Sequence, residues 1–292
     1  MKKSTTKIWF ISALMGMTIL SSCGGGESLA EDAADAGKSA VEGVVDEAAI
    51  IPIEKALEIV ARENDIARKL YTKGIVGPGK KAGIKFHEDW RKDDVEAGPL
   101  PALFLRGVSS SIAKGPVDLG LYLGSDFPIN KANLFTGKQA DLFAEIRKDS
   151  VAKYFFDDEN KLYTAMFPDF AAAAPCVSCH NEHEQTTKTD WELNDIMGAT
   201  TWTYPKEKLT LEEASSLVKA YRTGIVATLG EYVEEIDGFE NSDKPEIGPK
   251  WPTEGLYIPS PEAFLDSVKI LSGDYTKLLA ASINESEAVA VK

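Results

Sequence analysis

The sequence contains few of the residues that bind metals or cofactors. Its 292 residues include three cysteines, three histidines and five methionines. Only Cys176 and Cys179 form a closely spaced cysteine pair, whereas a zinc site with four cysteine ligands requires two such pairs. The catalytic signatures G-x-S-x-G and H-E-x-x-H are also absent. We therefore expect that the protein is not an enzyme, and in particular not a peroxidase.

Positive charge is also scarce. Acidic residues outnumber basic ones by 46 to 32, which gives a formal net charge of −14. Such a surface repels phosphates, so a nucleic-acid partner is excluded. The excess acid is either an ordinary solvated surface or a means of attracting a positively charged redox or signalling protein.

The N-terminal apolar run is short. It spans 13 residues, 8–20, after Lys2, Lys3 and Lys7, whereas a membrane-spanning helix needs about 20 residues. This pattern is typical of a signal peptide, residues 1–22. The run ends in LSSC, which resembles a bacterial lipobox and implies that Cys23 is lipidated. The alternative is a plain cleaved signal with a chance cysteine.

Residues 23–50 are predicted to form a flexible acidic tether. They are rich in Gly, Ala, Ser, Asp and Glu and cannot bury enough apolar surface to offset the entropy of ordering. A lipid on Cys23 would hold the folded part at a membrane facing the periplasm. Gly24, in place of an aspartate, resembles the sorting pattern of outer-membrane lipoproteins, and this resemblance favours the outer membrane.

The middle of the chain predicts an α+β fold with an antiparallel sheet and flanking helices. Apolar residues at spacings of three and four indicate a helix over 53–71, ended by the glycines and proline of 74–79. A second segment, 81–91, carries His87 on a predicted helix. Strands are expected at 117–123, 162–167 and 199–204, with a helix at 137–147.

The C-terminal part is predicted to be helical. Thr210 and Glu213 have the spacing of a capping box, and Gly238 is a natural helix stop. Ser260-Pro261 begins a last helix that extends past Leu278. We divide the folded part into a domain over 51–207 and a helical extension over 208–292 packed on it.

The most specific motif is Cys176-Val177-Ser178-Cys179-His180. The spacing C-x-x-C-H is typical of c-type haem attachment, in which two thiols bind the porphyrin and the histidine ligates iron. An export signal places the motif where such haem is attached. A thioredoxin-type disulfide, half of a zinc site and a structural disulfide are the alternatives. We expect one covalent haem c on Cys176 and Cys179, with His180 as the proximal iron ligand.

Around this motif the sequence resembles the bacterial periplasmic c-type haem domain with a PAS-like fold, a sensor-type single-haem family. The similarity covers roughly 52–207 and is strongest over 176–205. A Lys-x-Asp-Trp and an Asp-x-x-Gly of the family match Lys188, Asp190, Trp191, Asp195 and Gly198. Residues 125–137 resemble the family's Asn-Pro-rich loop. The resemblance implies a PAS-like sheet that holds one haem.

The ligand opposite His180 is not fixed by any motif. His87, His183, Met166 and Met197 are the candidates. His183 is too close to His180 in sequence to reach the opposite face, and the methionines fit core positions better. We predict His87 as the distal ligand, the alternative being a hydrogen-bonded surface histidine beside Glu88.

Two functions follow from these expectations. One is a lipid-anchored cytochrome for electron transfer or redox sensing, favoured by the lack of the transmembrane and kinase, cyclase or chemotaxis modules that fused relatives carry. The other is a haem-based gas or redox sensor that acts through a separate membrane signalling partner, favoured by the PAS-like resemblance. A second strong iron ligand indicates the first, and an open iron position indicates gas binding.

Overall fold

The computed structural model describes residues 50–290 except 93, 241–243, 249 and 253–256. Of residues 284–290 it gives the helical backbone only. The predicted signal peptide, the lipidation site Cys23 and the tether up to residue 49 lie outside the described residues.

The first helix, α1, spans Ile53–Leu70 and begins directly after Pro52, as predicted. Its apolar spacing buries one face of the helix in the main core. The predicted end of this helix at the following glycines is wrong. A π-helical segment, Tyr71–Val76, continues it and leads into α2, Gly77–Lys81. Burial of Tyr71 and a hydrogen bond of 2.9 Å from Trp251 Nε1 to the Gly74 carbonyl hold this turn, so tertiary contacts override the helix-breaking tendency of glycine.

Two short strands follow. Strand β2, Phe86–His87, pairs in parallel with β3, Gly98–Pro99. The predicted helix over 81–91 is therefore wrong around His87. Phe86 and Trp90 are buried while His87 is exposed. The burial of these two aromatic rings, rather than a helical periodicity, therefore sets the path of this segment.

The central sheet has four antiparallel strands in the order β4-β7-β6-β5. They are β4 Gly120–Gly124, β5 Lys153–Asp157, β6 Leu162–Phe170 and β7 Ile196–Tyr204. The three predicted strands are confirmed, with shifted ends. Strand β5 has no clear alternation of buried and exposed residues, and for this reason the sequence pattern did not reveal it.

The sheet separates two apolar cores because successive side chains of a strand point to opposite faces. Ala165 pairs with Trp202, and both enter the main core with the helices. Met166 lies on the other face, against Phe143. In chain order the remaining helices are α3 Pro101–Ala113, α4 Gly137–Asp149, α5 Ala174–Glu182, α6 Leu211–Asp237, α7 Pro261–Ser272 and α8 Tyr275–Ala290. The α+β class is confirmed.

The long helix α6 begins with the predicted capping box. The Glu213 amide donates to Thr210 Oγ1 at 3.1 Å, and the Thr210 amide donates to Glu213 Oε2 at 2.9 Å. Helix α6 packs on α1 and α3, and its side chains Tyr221 and Tyr232 are buried in the main core. That core therefore extends across the predicted boundary between 207 and 208.

The predicted last helix is two helices. Gly273, with φ of +79°, separates α7 from α8, and such a left-handed conformation suits glycine. Two short pairs complete the described fold, β1 Ile51–Pro52 with β8 Lys208–Leu209 and β9 Glu246–Ile247 with β10 Tyr257–Ile258. Among the described helices, none has both the length and the apolar content to cross a bilayer.

Candidate functional site

Helix α5 carries the cysteine–histidine motif. Pro175 lies in its first turn, where its missing N–H costs no helical hydrogen bond. Cys176 and His180 are four positions apart and so lie on one face of the helix. Both thiols are free, Cys176 half-buried and Cys179 exposed. The structure therefore presents two accessible thiols and one imidazole on two turns of helix.

One side of α5 packs on a small apolar cluster. Cys176 and Val177 contact the buried side chains of Ala171, Trp191 and Met197. Asn181 fastens this contact, because its side chain donates to the Trp191 carbonyl at 3.0 Å and accepts from the Trp191 amide at 2.9 Å. The loop after α5 is thus fixed to the helix that bears the motif.

The Lys-x-Asp-Trp segment forms a local structure beside that cluster. The Lys188 ammonium lies 4.5 Å from the centroid of the Trp191 ring and pairs with Asp190. A cation over an indole face is attracted by the ring quadrupole. Lys188 lines two grooves, one of about 300 Å³ that Trp191 also lines and one of about 430 Å³ that Phe127 also lines. The segment therefore covers the indole that supports α5.

The His180 imidazole is half-buried. Burial lowers the pKa of His180, the carboxylate of Asp169 acts to raise it, and His183 acts to lower it. A lowered pKa favours the neutral imidazole, which is the form that binds a metal. The direction of the shift therefore favours a ligand role for His180.

A partly buried ion pair lies at the end of the strand that leads into α5. Arg68 of α1 donates from Nη1 to Asp169 Oδ1 at 2.6 Å and from Nη2 to Oδ2 at 3.0 Å. Burial works against the charge on Arg68, but attraction and hydrogen bonding by Asp169 raise its pKa overall. This bidentate pair joins α1 to the end of β6, immediately before α5. Neither residue stands out in the sequence, because no short motif includes them.

The second histidine of the segment, His183, caps α5. Its amide donates to the Cys179 carbonyl at 2.9 Å. Its Nδ1 accepts from the Gln185 amide at 3.1 Å, and its Nε2 lies 3.1 Å from Glu88 Oε1. Because Nδ1 accepts, Nε2 carries the hydrogen that Glu88 receives. Both ring nitrogens are therefore engaged within the protein.

His87 lies on the segment that touches the C-terminal end of α5. Its side chain is exposed, and its Nδ1 accepts from the Asp89 amide at 3.1 Å. The next residue, Glu88, contacts His183. Partial burial raises the pKa of the Cys179 thiol, and the negative charge of Glu88 raises it further. The structure thus brings the strand bearing His87 beside the motif helix, and its role as a ligand stays a prediction.

The two candidate methionines lie in different places. Met166 is fully buried on the α4 side of the sheet, in a core cluster with Phe135 and Phe143. Met197 lies in the cluster that contacts Cys176. Met166 therefore packs as a core residue, whereas Met197 lines the immediate surroundings of the motif.

The residues at this site fit a covalent haem better than a bare metal ion. Within the described residues, no three Cys, His, Asp or Glu side chains converge on a metal-ion position, as a zinc site requires. Two buried donors near α5, Arg68 Nε and Trp191 Nε1, lack a hydrogen-bond partner within the same part of the chain. Buried donors are normally satisfied, and acidic acceptors such as the propionates of a haem could satisfy them.

These features define a class: an α+β domain whose motif helix follows a strand of an antiparallel sheet and offers two free thiols and a half-buried imidazole. The model of the Tll0287-like family matches residues 44–205, and the chain belongs to this family. The family is associated with periplasmic haem-binding sensor domains. Comparisons with curated proteins and with solved structures found no match.

Gly198 lies where the backbone of a neighbouring strand comes close. A Cβ on Gly198 would lie 2.5 Å from the Gly124 carbonyl oxygen, across the β4–β7 pair. We expect Gly198→Ala to lower the free energy of unfolding by about 1–3 kcal/mol, because the backbone must move apart. Chemical denaturation measures this loss.

Gly230 provides a matched control. It lies in the interior of α6, where an added Cβ would meet only Pro261 Cγ at 3.9 Å. Gly230→Ala should raise the free energy of unfolding by up to about 1 kcal/mol, because alanine loses less backbone entropy in a helix. Equal effects of both substitutions would show that the close approach at Gly198 is unimportant.

Proposed function

We propose that this protein is a c-type cytochrome that binds one haem covalently through Cys176 and Cys179, with His180 as the proximal iron ligand. The observation that carries the proposal is the arrangement of α5, which carries two free thiols and the half-buried imidazole of His180 within five consecutive residues. Family membership supports the same cofactor. The bound haem would supply one-electron chemistry at the iron.

The chain's own residues have distinct roles in this proposal. Cys176 and Cys179 would hold the haem, each thiol forming a carbon–sulfur bond to one vinyl group while its hydrogen would pass to the other vinyl carbon. Trp191 and Met197 support the Cys176 side of the helix. Because Cys179 is exposed, the cofactor edge attached there would lie near the surface, where a protein partner can exchange electrons.

We propose His87 as the distal ligand. The contact between Glu88 and His183 supports it, since this contact holds the neighbouring residue against the end of α5. Both ring nitrogens of His183 are already engaged, which makes it a poorer candidate. To bind iron, His87 would give up only one hydrogen bond, from the Asp89 amide.

The cellular setting is part of the same proposal. The N-terminal pattern supports export and a lipid on Cys23, which would place the protein at the membrane on the periplasmic side. Electron transfer or redox sensing with a protein partner is the main role, without enzymatic activity. The alternative is a haem-based gas sensor acting through a separate membrane signalling protein, favoured by the association of the family with sensor domains.

A visible absorption spectrum separates these roles. The mature protein is produced with c-type haem maturation, reduced with dithionite and exposed to CO. A low-spin spectrum that does not change with CO is expected from two firm ligands and favours electron transfer or redox sensing. A CO-shifted spectrum favours the gas sensor, and a protein with no covalent haem contradicts the proposal.

The same spectrum tests the distal ligand. We expect His87→Ala to convert the reduced protein to a form that binds CO, because it removes the sixth ligand. Met166→Leu is the control and should leave the spectrum low-spin, because Met166 packs in the core cluster with Phe135 and Phe143 and leucine is close to it in volume. An unchanged spectrum in His87→Ala would rule out His87.

A further inference from the structure

The Arg68–Asp169 pair is partly buried and lies at the junction between sheet and motif helix. Its side chains are 22% and 19% exposed. Asp169 lies near the end of β6, opposite Gly198 of β7. Two residues later, Ala171 is fully buried in the cluster that contacts Cys176. The carboxylate is thus held rigidly where the chain turns into α5.

The pair places opposite charges at the end of the sheet that leads into the motif helix. Arg68 is fixed by two hydrogen bonds to Asp169, and its remaining nitrogen, Nε, is buried without a partner in the described structure. Asp169 precedes Ala171, whose cluster Cys176 contacts, and helix α5 with the motif begins at Ala174. In surroundings this poorly solvated, charges interact much more strongly than in water.

We propose that Asp169 and Arg68 are positioning residues that set the reduction potential of an iron held by His180, with effects of opposite sign. This inference rests on the proposed haem function. Oxidation adds one positive charge to the iron and its ligand. The carboxylate of Asp169 stabilises that charge and lowers the potential, whereas the guanidinium of Arg68 opposes it and raises the potential.

Single substitutions should therefore shift the potential in opposite directions. Asp169→Asn removes the negative charge and leaves the Arg68 cation uncompensated, which raises the potential. Arg68→Gln leaves the Asp169 carboxylate uncompensated, which lowers it. We expect each to change the ratio of oxidised to reduced protein at fixed potential by about tenfold, or about 59 mV for one electron. The double substitution removes both charges and should return the potential towards that of the wild type.

The experiment is a spectroelectrochemical titration of the full mature holoprotein and these variants. Arg222→Gln is the matched control, because Arg222 forms a similar bidentate pair with buried Glu63 in the main core. It should destabilise the fold without moving the potential. Arg68→Lys keeps the positive charge and changes the geometry, so the potential of this variant should stay close to that of the wild type. It still provides a comparison with Arg68→Gln if Asp169→Asn fails to fold.

The outcomes are distinct. Shifts of opposite sign, with unchanged Arg222→Gln and Arg68→Lys proteins, support the inference. Shifts of the same sign, or no shift in Arg68→Gln, overturn it while the haem function stands. A wild-type protein without covalent haem overturns the proposed function and this inference with it.

Discussion

Replacement of both motif cysteines, in C176S/C179S, abolishes covalent haem attachment in cells that mature c-type haem. Serine is close to cysteine in size, but its hydroxyl does not add to a vinyl group under these conditions. The protein is expected to fold, because Cys179 is exposed and Cys176 only half-buried. Haem staining of the denatured protein, together with the mass of the intact chain, measures the loss.

Single substitutions refine this result. Cys176→Ser and Cys179→Ser each leave one thiol, so a fraction of the chains should retain haem through a single bond. His180→Ala keeps both thiols but removes the iron ligand, and any attached haem should then have an altered spectrum. Ser178 lies between the cysteines on the exposed side of α5. Ser178→Ala is therefore the control, and its haem content should be normal. Full covalent haem in C176S/C179S would refute the assignment of the motif.

A chain that ends at residue 207 is expected not to fold. Helix α6 buries eight apolar side chains, Ala214, Leu217, Val218, Tyr221, Ile225, Leu229, Tyr232 and Ile236. Burial of a large apolar side chain stabilises the folded state by about 1.5–3 kcal/mol, whereas the whole free energy of unfolding of a domain is about 5–15 kcal/mol. The free energy of burial that is lost with α6 therefore exceeds the free energy of unfolding that a domain normally has.

Circular dichroism and urea denaturation of the shortened chain, beside the chain that ends at Lys292, test this expectation. The shortened chain should lack a near-ultraviolet signal and a cooperative transition. Arg222→Gln in the longer chain is the control for loss of the Glu63 ion pair alone, and should destabilise without abolishing the transition. A cooperative transition in the shortened chain would instead establish 51–207 as an independent domain.

The sequence predicts the regular elements well where one physical signal dominates. The start of α1 follows from Pro52 and apolar spacing, and α6 from its capping box. The strands β4, β6 and β7 follow from their alternating or apolar composition. The predictions failed where distant contacts decide, as in the π-helical turn held by Trp251 and the strand containing His87.

The sequence by itself determined which reactive groups the motif helix carries. The spacing of Cys176, Cys179 and His180 is a local property, and helix geometry turns it directly into one reactive face. The tertiary structure alone decided the surroundings of that face. Asp169 and Arg68 are 101 positions apart in sequence, and Glu88 and His183 are 95 apart. Such pairs form only because folding the sheet against α1 buries apolar surface, and no local pattern records which charges that packing brings together.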